Sequence, residues 1–246
     1  GVETIAEIST YTKRLARDYK FDYSSIKISL FEAQDTILAS FAKSQRDAVV
    51  RRMKKLGVDI FTNTKIEKII PECVLFEGGE KCGADLILWG GGIKGPSLFS
   101  QIKGLELDKK GKIPVDNFLQ ARGLRKVFAV GDNAAFVDET TGLYAPSTAF
   151  IAEWQADIVA ENISRAMKGR PLNKYKVSVP GYVISCGGKY AVARIYGFTF
   201  SGFFGWAVKK IIDLKQKFLD KASLIDKSTS KINSEDIKNT KEKFNK

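Results

Sequence analysis

The sequence predicts an α/β fold, built from helices and parallel strands with a small antiparallel β insertion. Apolar residues recur at helical spacing in three segments, at residues 3–19, 44–56 and about 147–168. Two continuous apolar runs, 85–89 and 126–130, are typical of parallel strands buried on both faces. Short strand candidates crowd between residues 58 and 78 with no helix between them, which predicts the insertion.

The remaining elements follow from local signals along the chain. Residues 26–32 alternate in polarity and end in an acid, as expected for a strand. Gly57 directly follows the second helical segment and is predicted to cap it. After Pro180 the pattern predicts a β-hairpin or meander, and helical periodicity returns from Phe203 to about Ile225. The lysine-rich residues 227–246 are expected to be disordered.

Composition excludes several kinds of chemistry. The chain has no histidine, which removes histidine metal sites, histidine general bases and Ser-His-Asp catalysis. Its three cysteines are too few and too scattered for a disulfide framework or a metal cluster, so no metal site is expected. No apolar run is long enough to span a bilayer, and no signal peptide is recognisable. Any proton transfer therefore falls to carboxylates, lysines, tyrosines, water or a cofactor.

The charge of the chain points to an anionic partner. Its net charge of +12 suits acidic lipid, a phosphate-rich cofactor or nucleic acid. From Lys209 to the end, eleven lysines face six acids, so five of the excess charges lie in the last 38 residues. Because the sequence carries no DNA-binding motif and no aromatic-rich binding sheet, nucleic acid is not expected as the partner.

The first residues resemble half of a dinucleotide-binding motif. If Gly1 is the third glycine of G-x-G-x-x-G, the helix that it opens points its N-terminus at a pyrophosphate. Glu32 then ends the next strand, where an acid binds the ribose hydroxyls of NAD. The two lie 31 positions apart because the segment RDYKFDYSS lengthens the connection. A carboxylate there favours NAD over NADP, since it repels a 2′-phosphate. The alternative is an ordinary strand-end glutamate.

A second motif lies about 100 residues further on. Residues 126–132 read KVFAVGD, an apolar run that delivers a carboxylate where ligands of open α/β sheets bind. Gly131 allows a tight turn and Asp132 can accept hydrogen bonds from a polyol. The pattern resembles that of two-dinucleotide-binding flavoproteins, in which this aspartate holds the ribityl chain of FAD. A strand followed by an ordinary turn aspartate is the alternative.

Over about 225 residues the order of motifs resembles type II NADH:quinone dehydrogenases, within the FAD-dependent pyridine nucleotide-disulfide oxidoreductases. Four segments match the motifs of that family, namely Gly1-Val2-Glu3, residues 31–38, residues 89–93 and residues 145–156. The resemblance implies a two-dinucleotide-binding-domain, Rossmann-like flavoprotein that uses FAD and NADH. It also implies that the N-terminal FAD motif lies outside the printed sequence, so this polypeptide alone is expected not to bind FAD normally.

The resemblance implies domains and site residues. Four segments are expected: 1–96 in the NAD(H)-binding domain, 97–170 returning to the FAD-binding domain, 171–226 with a β-hairpin and membrane-associating helix, and the tail 227–246. The implied cofactor-binding residues are Gly1, Glu32, Gly91, Gly92 and Ile93 for NADH, and Gly131, Asp132, Thr148 and Ala149 for FAD. Glu3 is implied as the catalytic residue, close to the nicotinamide and flavin, where a carboxylate can relay protons. A solvated glutamate in the first helical turn is its alternative.

The quinone end of the motif is only partly matched. Phe150 and Trp154 stand where the family has glutamines, and Ala156 stands where it has glycine. The resemblance implies quinone contacts by Phe150, Trp154 and Gln155. The N-terminus of this helix still favours negative charge on a reduced flavin through its N–H groups and dipole.

The segment 201–225 predicts an amphipathic helix in the membrane interface. Aromatic residues cluster at its start and lysines flank its apolar stripe, among them Phe203, Phe204, Trp206, Lys209 and Lys210. The expected location is peripheral, on the cytoplasmic face of the cell membrane. A helix packed on the body and a homodimer contact are the alternatives.

Two other functions fit the same architecture. Sulfide:quinone oxidoreductases use paired cysteines near the flavin, and Cys186 lies in a segment that could approach it. Glu32 weighs against this rival because sulfide oxidation needs no acid for an NAD ribose. A non-catalytic remnant that docks on membranes, with the fold but without the redox site, is the third reading.

Overall fold

The computed structural model of the chain describes residues 1–178 and 181–218. The chain divides into two compact units, of which the first combines Gly1–Trp89 with Pro180–Lys246 and the second is Gly90–Val179. The predicted tail 227–246 and the end of the predicted last helix lie outside the described residues. The four domain boundaries expected from the sequence remain predictions.

Over its described residues, the first unit contains two α-helices and eight strands, followed by a further helix. Its elements are α1 (Val2–Tyr19), β1 (Ile28–Phe31), α2 (Lys43–Leu56), β2 (Val58–Phe61), β3 (Ile66–Ile70), β4 (Cys73–Phe76), β5 (Lys81–Gly83), β8 (Gly181–Ser185), β9 (Ala191–Ile195) and β10 (Phe198–Gly202). Residues 203–218 are helical to the last described residue. The predicted helices at 3–19 and 44–56 are confirmed, as is Gly57, which caps α2 with φ +77°.

A parallel pair of strands lies at the centre of this unit. β1 and β2 run in parallel, with Ile28 opposite Val58 and Phe31 opposite Phe61. Their side chains alternate, so Ile28 and Val58 face α1 and α2 and join the apolar core that includes Met53. On the other face, Phe31 stacks on Phe61 at 5.0 Å between ring centroids and contacts Phe76 at 4.8 Å.

The predicted antiparallel insertion is confirmed. Strands β3, β4 and β5 form an antiparallel sheet in that order, with Val74 paired to Cys82 and Ile69. Phe76 belongs to this sheet, so its contact with Phe31 joins the insertion to the parallel pair. The α/β fold with parallel strands and an antiparallel insertion therefore forms as the sequence predicted.

The predicted meander after Pro180 is also confirmed, as the antiparallel sheet β8–β9–β10. It joins the first unit through apolar side chains and through Arg52 of α2. The Arg52 guanidinium donates to the carbonyls of Cys186 and Gly187, at 3.0 and 2.8 Å. Gly187 has φ +78°, and a Cβ on it would lie 2.5 Å from the Ala6 carbonyl oxygen, so only glycine fits against α1 here.

The second unit has little regular structure apart from one helix. Its elements are β6 (Ile113–Pro114), β7 (Ala134–Ala135) and α3 (Ala149–Met167), and β6 pairs with β7 in parallel. The predicted helix at 147–168 is thus confirmed. α3 begins at Thr148, whose hydroxyl accepts a hydrogen bond from the Ile151 N–H at 3.4 Å.

Both strands predicted from continuous apolar runs were wrong. Residues 85–89 form no strand among the described residues, and Leu86, Leu88 and Trp89 are 70, 55 and 60% exposed. Residues 126–130 contribute only a single bridge between Phe128 and Gln120. An apolar run becomes a buried strand only when neighbouring strands bind its N–H and C=O groups, and the described strands offer neither run such a ladder.

Candidate functional site

The candidate nucleotide site lies at the N-terminus of α1 and the carboxyl end of β1. Gly1 caps α1 without any side-chain hydrogen bond, so the first-turn N–H groups have no side-chain acceptor at the cap. Such an end attracts an anion through its N–H groups and dipole.

Glu32 occupies the first position after β1. Its backbone is held on both sides, because its N–H donates to the Phe61 carbonyl at 2.8 Å and its carbonyl accepts from the Thr64 N–H at 2.9 Å. One carboxylate oxygen accepts from the Gln34 N–H at 3.0 Å. The second oxygen remains able to accept from a hydroxyl, as ribose recognition requires.

Glu3 has a defined partner within the first unit. Its Oε1 accepts a hydrogen bond from the Ser185 N–H at the end of β8, at 2.7 Å. The side chain is exposed in the first turn of α1. The carboxylate therefore links α1 to the meander, and its predicted catalytic role remains a prediction.

The remaining NADH residues predicted from the sequence begin the second unit. Gly91, Gly92 and Ile93 are all exposed, and Gly92 has φ +98°, a backbone conformation that favours glycine. Their backbone groups are accessible for a ligand.

The candidate flavin site of the second unit is the turn at Gly131 and Asp132. These residues open a short 3-10 turn, Gly131–Asn133, which leads into β7. The Asp132 side chain is exposed, and in the part of the chain that the structure describes its carboxylate forms no hydrogen bond or ion pair. The carboxylate is therefore free to accept from a polyol, although it follows an extended segment rather than the predicted strand.

Gly131 packs directly against α3. It has φ +61°, and a Cβ on it would lie 3.1 Å from the Ala152 Cβ. Its N–H donates to the Gln155 Oε1 at 2.7 Å. Glycine is needed here both for the left-handed conformation and for the close approach to the helix.

The quinone residues predicted on α3 have different environments. Phe150 is 52% exposed, while Trp154 packs into the core of the second unit with its ring 5.4 Å from that of Tyr175. Gln155 is 1% exposed and its Oε1 is already bound, which does not support a quinone contact. Thr148 and Ala149 stand at the N-cap and first position of α3, where the sequence predicted them.

The buried polar side chains of α3 are functional candidates that the sequence reasoning missed. Asn162 is fully buried, donates to the carbonyls of Phe118 and Asn173, and accepts from the Asn173 N–H at 2.7 Å. It lies seven residues, or two turns, after Gln155 on the same face. The sequence did contain a signal for these residues, namely two polar residues at that spacing on a helix face that is otherwise apolar.

The burial of Cys186 bears on the predicted sulfide chemistry. The side chain is completely buried, and burial, followed by the Glu3 carboxylate, raises the pKa of its thiol to about 12. A thiol of that pKa is protonated near neutral pH and is a poor nucleophile. Cys73 and Cys82 are partly exposed and lie in the antiparallel insertion.

The helical residues 203–218 present an apolar and basic surface. Its large exposed apolar side chains are Phe203, Phe204, Ile211, Ile212, Leu214 and Phe218. Lys189 and Lys210 lie 5.7 and 5.9 Å from the centre of the Trp206 ring, and Lys209 pairs with Asp213 at 2.9 Å. None of the helices over the described residues is both long and apolar enough to cross a bilayer.

Parallel strands flanked by helices, an uncapped helix end and a strand-end acid define an α/β chain of the dinucleotide-binding class. The chain belongs to the pyridine nucleotide-disulphide oxidoreductase family, whose model matches residues 1–156. It is 29% identical over 187 residues to the Type II NADH:quinone oxidoreductase of Haemophilus influenzae, covering 75% of this chain and 42% of that protein. The resemblance predicted from the sequence is confirmed, and the chain spans less than half the length of that relative.

Two solved structures share the fold. NDH2 from Plasmodium falciparum in complex with NADH matches with a TM-score of 0.74 and 14% identity, over 87% of this chain and 59% of that one. The sulfide:quinone oxidoreductase of Aquifex aeolicus matches with a TM-score of 0.67 and 15% identity, over 87% of this chain and 53% of that one. At these identities the likeness concerns the fold alone.

Proposed function

We propose that this chain takes part in an FAD-dependent oxidation of NADH by a membrane quinone, without proton pumping. The observation that carries the proposal is Glu32, a carboxylate fixed at the end of a parallel strand in a family of nucleotide-dependent oxidoreductases. Type II NADH:quinone oxidoreductase is also the name of the relative that matches three quarters of the chain.

The residues of the chain fit both cofactors. The N-terminus of α1 would receive the pyrophosphate of NADH, and Glu32 would accept hydrogen bonds from its ribose hydroxyls. In the first unit, Glu3 would relay protons. In the second unit, the exposed backbone of Gly91, Gly92 and Ile93 would offer hydrogen-bonding groups to NADH. A free carboxylate at Asp132 suits the ribityl chain of FAD.

Bound FAD would supply the redox chemistry, which is hydride transfer from NADH and two-electron transfer to a quinone. The protein contributes electrostatics at the start of α3. Thr148 and Ala149 open that helix, whose dipole favours the negative charge that develops on a reduced flavin. Phe150, which is half exposed, is the residue of this turn best placed to contact a quinone ring.

The last helix supports a peripheral position on the cytoplasmic face of the membrane. Its exposed apolar residues would enter the interface while its lysines attract acidic lipid, at about 1 kcal/mol each. A chain that ends at Gly202 should no longer sediment with acidic vesicles. Unchanged sedimentation would contradict the attachment, and vesicles of neutral lipid serve as the control for the contribution of charge.

The buried thiol of Cys186 disfavours the sulfide reading. Sulfide oxidation through cysteines requires an accessible thiolate, whereas this thiol is buried with a raised pKa. NADH is therefore the preferred electron donor.

The test uses protein expressed in its native host and purified with its membranes. The preparation should show flavin absorbance and should reduce quinone with NADH but not with sulfide. Glu32→Ala should raise the KM for NADH by about tenfold through loss of charge-assisted hydrogen bonds. Glu67→Ala, which removes an exposed glutamate of β3, is the matched control and should change nothing. Absence of flavin would favour the non-catalytic remnant, and reduction by sulfide would favour the rival enzyme.

A further inference from the structure

Gln155 is a buried polar side chain that the electron-transfer chemistry leaves unexplained. It lies on α3 with 1% of its surface exposed, in the second turn of the helix. Its Oε1 accepts the N–H of Gly131 at 2.7 Å, across 24 residues of sequence. Burying an amide costs free energy unless the amide forms hydrogen bonds. The bond between Gln155 and Gly131 therefore stabilises both the buried side chain and the turn.

The bond acts next to the proposed flavin ligand. Gly131 precedes Asp132 by one residue, and both belong to the turn Gly131–Asn133. A Cβ at position 131 would lie 3.1 Å from the Cβ of Ala152, on the same helix as Gln155, which is closer than ordinary van der Waals contact. Ala152 thus limits how closely the turn approaches α3, and Gln155 holds the Val130–Gly131 peptide, one peptide before Asp132.

Aromatic side chains of the second unit's core lie beside Gln155. Tyr175 lies beside it, is 3% exposed, and packs edge-on against Trp154 and Phe136 with centroids 5.4 and 4.8 Å apart. Burial raises the pKa of the Tyr175 hydroxyl. The Tyr175 hydroxyl has no hydrogen-bond partner among the described residues.

We propose that Gln155 is a positioning residue that orients Asp132 to bind the sugar-alcohol chain of the flavin. The inference rests on the proposed function and replaces the quinone contact predicted for Gln155. Gln155 acts through the Gly131 peptide and touches no cofactor. Losing the acceptor frees the turn and lets the carboxylate sample directions that do not meet the ligand, so flavin affinity falls while the rest of the unit stays folded.

Three variants separate positioning from stability. Gln155→Met removes the acceptor and keeps the length of the side chain. Gln155→Glu retains an acceptor oxygen at the same position. Val159→Ala loosens the core packing of the same helix without touching the turn, since Val159 is 8% exposed in the apolar cluster of the second unit.

The first readout is hydrogen exchange of the Gly131 amide in this chain, followed by NMR. The second is the Kd for FAD of the protein purified with its membranes and stripped of flavin. In Gln155→Met, exchange should accelerate and the Kd should rise, each by about tenfold, as expected for loss of one buried hydrogen bond. Gln155→Glu should restore both, and Val159→Ala should change neither.

The outcomes distinguish the two proposals. A wild-type protein that holds no flavin overturns the redox function, while the exchange measurement still decides whether Gln155 holds the turn. A wild-type protein with flavin, together with a Gln155→Met variant of unchanged FAD affinity, overturns the positioning role. So does a Val159→Ala variant that loses as much FAD affinity as Gln155→Met.

Discussion

The two units of this chain are ordered by different interactions. In the first, parallel and antiparallel ladders of three to five residues and two amphipathic helices enclose an apolar core that contains Val49 and Met53. In the second, the named strands are only two residues long, and loops connect them to α3, the one α-helix over residues 90–178. There, much of the backbone is held by side chains. The first unit is thus ordered by strand ladders and apolar packing, whereas the second combines an apolar cluster of its own with turns that polar side chains hold.

Three aspartates show how the second unit is held. Each of these residues uses one carboxylate oxygen to accept hydrogen bonds from two backbone N–H groups, at 2.8–2.9 Å. They are Asp108, Asp116 and Asp138. The N–H groups of Thr141 and Thr140 hold the pKa of Asp138 below its usual value. On α3, the side chains of Asn162 and Gln155 bind backbone groups of the loops in the same way. Turns of this kind need one particular side chain each, whereas an apolar core tolerates exchange among residues of similar size.

The largest expected effect tests the apolar core of the first unit. Met53→Ala removes a fully buried side chain and should lower the free energy of unfolding by about 2–5 kcal/mol. Lys54→Ala, at the exposed neighbouring position, should change it by less than about 0.5 kcal/mol. Chemical denaturation measures both. Equal effects of the two variants would mean that apolar packing does not dominate this unit.

The next effect tests the polar contacts of the second unit. Asn162→Leu leaves the Phe118 and Asn173 carbonyls without their buried donor and should lower the free energy of unfolding by about 1–3 kcal/mol. Asn173→Ala is the matched control, because the bonds at that residue involve only its backbone. If the two variants unfold at the same denaturant concentration, the Asn162 amide does not hold these loops.

The thiol of Cys186 gives a pH-dependent test of the first unit. Its pKa rises from an ordinary 9.0 to about 12, so over this range the folded state keeps a proton that the unfolded state releases. The stabilisation that comes from keeping this thiol protonated in the folded state is therefore fully present below pH 9. It is lost as the pH rises towards 12, so that the free energy of unfolding falls by at most about 1.4 kcal/mol per pH unit. Denaturation of the wild type and of Cys186→Ala between pH 8 and 11 measures the difference, which should shrink with pH; parallel profiles would show that the thiol is not protected.

The smallest effect concerns the start of α3. Thr148→Ala removes the hydroxyl that accepts a hydrogen bond from the Ile151 N–H and should lower the free energy of unfolding by about 0.5–1 kcal/mol. Thr148→Ser retains the hydroxyl and should behave as the wild type in thermal unfolding. A serine variant that is as unstable as the alanine variant would assign the effect to the lost methyl group instead of the cap.

Sequence patterns predicted the first unit better than the second. The helical spacing of apolar residues located α1, α2 and α3, and alternation located β1 with Glu32 at its end. The same reasoning was wrong for 85–89 and 126–130, since hydrophobicity does not reveal whether a partner strand is available. For the candidate site, the pattern located the Gly131 turn but not the helix side chain that holds it.

By itself, the sequence determined the class of fold, the three helices α1, α2 and α3, the antiparallel insertion and the meander, because periodicity and turn residues act within a few positions of one another. Only the tertiary structure decided that Gln155 binds the Gly131 peptide, that Glu3 binds Ser185 and that Cys186 is buried. The two hydrogen bonds join residues that are separated by 24 and by 182 positions in the chain. Burial and hydrogen bonding over such separations depend on how the whole chain packs, which no local pattern records.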